Sequence, residues 1–209
     1  MKYRVLTVAR EYGSGGADIA GIISRELDWR LLDKELIMEI SQREQVTPSE
    51  VAAFDEKVDP WIHRITRSVW GVAADGISPI VPTDMFDARK AANMAKLIIE
   101  EACKMGGCVI VGRGSQCVLR GREDVFHAFI YANREDRVNR VRARVYAGTD
   151  VDALIRSMDE QRMGYVRLNY GENWLNPYLY DVMINSKNQP EKVARLIISA
   201  MSMVPATVA

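Results

Sequence analysis

Net charge is what this 209-residue chain most plainly lacks, because 28 Lys and Arg face 28 Asp and Glu. No overall field draws it toward nucleic acid, an anionic membrane or another polyanion, so any anion site has to be built locally. Histidine is also scarce. His63 and His127 stand far apart without ligand-spaced neighbours, and read as ordinary surface or core residues rather than metal ligands. The three cysteines, Cys103, Cys108 and Cys117, are too few and too irregularly spaced for a zinc site or a disulfide framework, and read as buried reduced thiols. No apolar run approaches the ~20 residues that a membrane span needs, and Lys2-Tyr3-Arg4 leads straight into an apolar segment with no leader-like core. The expectation is a cytoplasmic protein with neither a membrane nor a nucleic-acid polymer as partner. Internal repeats and low-complexity tracts are missing too.

What is present is the mixture of a soluble globular unit, 48% hydrophobic and 27% charged, with enough chain for one proper core. A single domain over residues 1–209 is expected. Strand-like and helix-like segments alternate along it. Val5 to Ala9 is a β-branched apolar run. Ile19, Ala20, Ile22, Ile23 and Leu27 then recur at helical spacing, and Asp28 to Asp33 reads as a turn and short strand. A further helix is predicted from Lys34 to about Gln45, and Thr47-Pro48 opens another. Between residues 59 and 82 the glycines and prolines break the pattern around Trp61, His63 and Trp70, which predicts a mobile helical insert. A long helix is predicted from Thr83 to Lys104, ended by Gly106-Gly107. Cys108 to Val111 and Val125 to Tyr131 follow as strands, Arg134 to about Ala147 and Asp150 to Met163 as helices, Tyr180 to Asn185 as a last strand, and Pro190 to Met201 as a closing helix. Buried-type strands alternating with helices imply an α/β, doubly wound parallel sheet whose ligand site lies at the C-terminal strand ends.

Two glycine turns stand at such ends. Gly13-Ser14-Gly15-Gly16 lets the backbone approach a ligand without Cβ obstruction, and the helix that follows brings partial positive charge from its first amides. Strand before, helix after: this is the layout of a phosphate cradle. The lysine of the G-x-x-x-x-G-K-[ST] phosphate loop is absent, since Gly16 holds its place and Arg10 holds that of the first glycine. Ala17 carries no hydroxyl. Arg10 could supply a cation instead, although its planar fork does not act as an ammonium does. The second turn, Gly112-Arg113-Gly114, follows Cys108 to Val111, and pairing of that strand with the first would bring both turns to one cleft. A dense basic stretch holds Arg137, Arg140, Arg142, Arg144, Arg156, Arg162 and Arg167, and for most of these a solvated helix face is the expectation.

The segment Ala9 to Ile19 resembles the degenerate P-loop of the cytidylate kinase-like family, a branch of the P-loop nucleoside monophosphate kinases. The likeness continues in Leu32 to Ile37, Phe54 to Lys57, Val109 to Gly114, Asp159 to Arg162 and Tyr180 to Asn185, and so spans nearly the whole chain. It implies a three-layer P-loop nucleoside kinase fold, with a parallel five-stranded sheet flanked by helices, the insert of residues 59–82 and a lid region over residues 134–170. It also implies transfer of the terminal phosphoryl group of ATP, with Mg²⁺, to a small nucleotide such as CMP. On that likeness Gly13, Ser14, Gly15, Gly16, Ala17 and Asp18 would hold the donor phosphates. Asp18 lies at the hydroxyl position, where it would hold Mg²⁺ or simply favour the helix N-terminus. Arg113 resembles the arginine that grips the acceptor phosphate, although Gly114 stands where the family's motif has Asp. Asp33 matches an acceptor-site position or caps a helix. Asp159 and Arg162 match the D-x-x-R of the lid, with Arg162 the arginine expected to screen charge as the phosphoryl group moves. Two other readings remain open: a non-catalytic nucleotide-binding or regulatory module, and a kinase of another small metabolite. A homodimer is a further expectation, through the insert and the long helix.

Overall fold

The computed structural model describes residues 2–33, 83–187 and 189–203, residues 83–91 by their backbone alone. The helices expected from Lys34 and Thr47, and the insert of residues 59–82 with Trp61, His63 and Trp70, lie outside the described residues. Two compact units are present, one of Met1–Leu32 with Gly107–Ala209 and the other of Asp33–Gly106.

The first unit is built on five parallel strands, β1 (Val5–Arg10), β2 (Arg30–Leu32), β3 (Cys108–Val111), β4 (Val125–Tyr131) and β5 (Val182–Asn185), in the order β2-β3-β1-β4-β5. The five-stranded parallel sheet inferred from the sequence is therefore present. Its central strands are apolar along almost their whole length, because helices cover both faces and leave no solvent side. Val5 to Ala9, Cys108 to Val111 and Val125 to Ile130 are all buried. One polar pair sits inside: Thr7 lies opposite His127 in the β1–β4 register, with Thr7 Oγ1 at 2.7 Å from His127 Nδ1.

Alternate residues of the strands face opposite ways. Leu6, Val8, Val109, Val111, Phe126, Ala128 and Ile130 form one face of the core with helix α1 (Gly16–Leu27) and the closing helix from Pro190 to Met203. In α1 the buried residues are Gly16, Ile19, Ala20 and Ile23, an i, i+3, i+4, i+7 stripe that lays one side of the helix on the sheet. On the other face Ala9 and Phe129 pack with Val166 and Trp174, whose ring meets that of Phe129 at 5.0 Å in a T-shaped arrangement. Trp174 is thus a core residue.

Helix α2 (Thr83–Met105) belongs to the second unit. Ala92, Ala95, Ile98, Ile99 and Ala102 are its buried stripe, and Gly106, at φ +68°, ends it where the glycine pair predicts. The short helix α3 (Ser115–Val118) follows β3. Helix α4 (Arg134–Arg142) is shorter than its sequence suggests, since Val138 and Val141 are its only buried residues and the Arg144 amide already turns back to the Val141 carbonyl at 2.9 Å. Helix α5 (Val151–Tyr170) is longer. It passes through Gly164 to a left-handed cap at Gly171, because Val166 gains a seat on the sheet beyond that glycine. Asp150 caps its start by accepting the Ala153 amide at 3.0 Å. The closing helix, α6 (Pro190–Met203), starts on proline and runs two residues beyond expectation.

Candidate active site

β1 and β3 are neighbours, and the Gly112 amide donates to the Val8 carbonyl at 3.0 Å, so the two glycine turns leave the sheet side by side. Gly13 and Gly15 sit at φ +79° and +78°, a region that only glycine enters cheaply. Gly15 caps α1 without any side-chain bond, and the first bond within the helix runs from the Ile19 amide to the Gly15 carbonyl at 3.0 Å. The amides of Gly16, Ala17 and Asp18 precede that bond at the positive end of the helix, the arrangement that suits an anion. Ser14 is fully buried and its hydroxyl donates to the Glu11 carbonyl at 2.9 Å, so it shapes the turn from within.

Arg10 explains the missing lysine. A Cβ at Gly16 would stand 2.6 Å from Arg10 Cβ and 3.0 Å from Arg10 Cγ, and neither atom is a flexible tip that can move aside. No side chain fits at position 16 while arginine occupies position 10. The Arg10 guanidinium reaches instead to Gly112, with its Cζ 3.5 Å from the point where a Cβ of that residue would lie. Its charge is delivered to the second turn.

That second turn is unusual in its backbone. Gly112, Arg113 and Gly114 all have positive φ, at +80°, +55° and +69°. For arginine this conformation costs about 1–2 kcal/mol. Arg113 Cζ lies 5.7 Å from the centre of the Tyr165 ring. Its Nε is buried without a hydrogen-bond partner, as are Ser115 Oγ and the Tyr165 hydroxyl. Buried polar atoms left this way are uncommon and point to a ligand or water. Burial pushes the Tyr165 pKa up, and the Arg113 charge partly offsets it. Gly114, in the place of the family's aspartate, faces the ring of Tyr170, whose Cδ2 and Cζ would lie 2.9 and 3.0 Å from an added Cβ. The Tyr170 hydroxyl donates to the Arg113 carbonyl at 3.3 Å.

The first turn is held from above by α4 and α5. Asp159 accepts the Tyr12 amide at 2.7 Å and forms a close ion pair with Arg137. Arg137 Nε donates to the Tyr12 carbonyl at 2.7 Å, and its Nη1 lies 3.3 Å from Glu11. Arg162 donates to the Arg10 carbonyl at 2.7 Å, stands 3.8 Å from Asp159 and lies 5.5 Å from the centre of the Tyr12 ring. Burial lowers the pKa of Arg162, and Asp159 opposes the shift. Tyr12 itself packs among Val138, Val141, Val151 and Ile155 of the two helices. Arg137 is therefore largely withdrawn from solvent, with 11% of its side chain exposed, contrary to the solvated face expected for it. Sequence reasoning missed it, along with Glu11, Tyr170 and Arg140, whose Nη1 donates to the Gly13 carbonyl at 2.9 Å and whose Nη2 donates to Ser186 Oγ at 3.1 Å. One signal was available: Arg137, Arg140, Val141 and Arg144 recur at i, i+3, i+4 and i+7, one side of a helix.

Asp18 stands at the first turn of α1 and pairs with Arg144 at 2.8 Å, both side chains well exposed. Among the described residues no group of three His, Cys, Asp or Glu could hold a metal ion. Asp33 directly follows β2 as the first residue of the second unit and is half-buried.

A parallel sheet with a glycine-rich loop after its first strand, helices on both faces and arginines converging on that loop defines the P-loop kinase fold. Within it, the chain belongs to the cytidylate kinase-like family, whose model matches residues 5–188. Among solved structures it is similar to a protein from Eubacterium ventriosum ATCC 27560, with 18% identity, TM-score 0.69, and coverage of 96% of this chain and 99% of that one. It is also similar to the shikimate kinase of Bacteroides thetaiotaomicron, at 12% identity and TM-score 0.53, over 95% and 98% of the two chains. A sugar kinase from Janibacter sp. HTCC2649 matches at 16% identity and TM-score 0.51, over 99% of each. A comparison with curated proteins gives no match. Among the described residues, no helix is long and apolar enough to cross a membrane.

Proposed function

We propose that this chain is a nucleotide-dependent phosphotransferase that moves the terminal phosphoryl group of ATP to a small acceptor, with a nucleoside monophosphate such as CMP the leading candidate. The observation that carries the reading is the adjacency of the Gly13–Gly16 and Gly112–Gly114 turns on paired strands, with Arg10 and Arg162 both lodged at the end of β1. The first turn holds the donor phosphates through its amides. Arg113 grips the acceptor, and Arg10, lying on Gly112, adds charge between the two. Arg162 screens the oxygens that gain charge in transfer, while Asp159, tied to Tyr12 and Arg137, is a positioning residue.

Asp18 is the residue of the loop suited to Mg²⁺, which takes one or two carboxylates together with substrate phosphates rather than a full protein cage. Its exposed pair with Arg144 is worth only ~0–1 kcal/mol, weak enough to yield to a metal. When bound, the ion supplies charge neutralisation across the donor phosphates.

A specific observation favours a second reading, a kinase of another small metabolite. The Tyr170 ring fills the space where the family's aspartate would project from position 114, so acceptor recognition there differs from the family pattern. The deciding experiment is a coupled ADP-release assay over a panel of nucleoside monophosphates and small hydroxylated metabolites. Turnover on CMP supports the first reading and turnover on a metabolite alone the second. ATP binding with no turnover on any acceptor makes the chain a binding module. In an active chain, Arg162→Ala is expected to lose roughly 10³-fold in turnover while calorimetry still detects ATP.

A further inference from the structure

Tyr165, on α5, meets the second turn across the Arg113 side chain. Its ring centre is 5.7 Å from Arg113 Cζ and 6.3 Å from the centre of the Tyr170 ring, and its hydroxyl is buried without a hydrogen-bond partner. Arg113 and Tyr170 lie near enough to hold its raised pKa partly down, yet neither reaches hydrogen-bonding geometry with the hydroxyl. The turn itself carries two further atoms of this kind, Arg113 Nε and the Oγ of the fully buried Ser115, whose amide closes the turn on the Gly112 carbonyl at 3.1 Å. A guanidinium can only donate, and each hydroxyl has a proton to give. What this corner wants is an acceptor. Gln116 Oε1 is unpartnered too and could accept, but its side chain is turned to Tyr180, whose hydroxyl takes the Gln116 amide at 3.3 Å.

Charge points the same way. Among the described residues the carboxylates around the two turns serve other cations, Asp159 and Glu11 pairing with Arg137, Asp18 with Arg144 and Glu172 with Arg120, and none pairs with Arg113. An oxyanion accepts from several donors at once and offsets the guanidinium charge, which a neutral hydroxyl group does not. We propose that Tyr165 is a specificity-determining residue of the acceptor site, where its hydroxyl acts beside Arg113 to select an acceptor bearing an oxyanion, a phosphate monoester or a carboxylate, over a neutral hydroxylated one. This rests on the acceptor half of the reading above. The Tyr165 ring packs against the cluster of Phe129, Val166 and Trp174, so Tyr165→Phe keeps the packing and removes one oxygen. That oxygen has no partner in the fold, and its loss should leave stability unchanged or raised.

The test sets the full chain against Tyr165→Phe. Amide NMR follows Gly112 and Gly114 during titration with inorganic phosphate and with acetate, calorimetry compares CMP with cytidine, and urea titration measures stability. Expected are shifts at both glycines with at least one of the two ions, weakened in Tyr165→Phe, and a urea midpoint that does not fall. Phosphate alone assigns a phosphate-bearing acceptor and acetate alone a carboxylate. Where CMP binds, its affinity should drop roughly ten- to a hundredfold, the span of one hydrogen bond to a charged group, with that of cytidine unchanged. Shifts with neither ion, or shifts and a CMP affinity that Tyr165→Phe leaves as they were, overturn the inference even in a chain that turns CMP over. A lowered urea midpoint with every affinity reduced alike makes Tyr165 structural and overturns it as well. Oxyanion binding at the second turn that depends on Tyr165, in a chain that transfers phosphate to no acceptor, keeps the inference and removes the phosphotransferase.

Discussion

Arg113 carries two costs at once, a left-handed backbone and a buried Nε without a partner. Neither is relieved by anything in the described fold, which is the pattern of a residue kept for what it contacts rather than for stability. Arg113→Gly should leave the protein as stable or more stable, by up to about 1 kcal/mol once the greater freedom of glycine in the unfolded chain is set against the relieved strain. Capture of the acceptor should fall at the same time, seen as a raised KM for the acceptor with KM for ATP unchanged. Urea denaturation and initial-rate kinetics measure the two halves; lower stability together with unchanged KM would assign Arg113 a structural role. The glycines flanking it were legible in sequence as a turn. The reason for Gly114 was not, because Tyr170 arrives from a helix more than fifty residues away.

At the scale of elements, the loop after β1 is rigid through its clamps. Arg137 joins α4 to Glu11, Tyr12 and Asp159, with only 11% of its side chain exposed. Removing Arg137 leaves Glu11 with the Ala132 amide alone and Asp159 with the Tyr12 amide and the more distant Arg162, which places the cost at the lower end of the roughly 3–5 kcal/mol of a broken buried pair. Arg137→Met is therefore expected to lower the unfolding free energy by about 3 kcal/mol in urea titrations and to loosen the first turn, seen as faster amide exchange at Tyr12 and Gly13. A change within 0.5 kcal/mol would mean that the pair contributes little. Strands and helices were readable from their spacing, as continuous apolar runs for β1, β3 and β4 and an i, i+3, i+4, i+7 stripe for α1. The clamp was not. A helix rich in arginine looks solvated when the carboxylates that meet it lie in other elements, and Glu11 is distant from Arg137 in the chain and adjacent only in the fold.

For the molecule as a whole, the buried Thr7–His127 pair ties the central strand β1 to its neighbour β4 and makes stability depend on pH. Burial holds His127 below its ordinary pKa of 6.5, and Asp181 opposes this only in part. Below that value the unfolded chain takes up a proton that the folded chain refuses, so stability is lost as pH falls from 6.5 toward the lowered folded value. Urea midpoints should drop between pH 7.5 and 5 more steeply for the native chain than for His127→Gln. Parallel curves would place the dependence elsewhere. A further molecule-wide consequence belongs to Arg10 and Gly16, whose α-carbons share room for a single side chain. With this backbone a side chain at position 16 needs glycine at position 10, so Gly16→Lys alone should distort the turn, whereas the same change made together with Arg10→Gly should be accommodated.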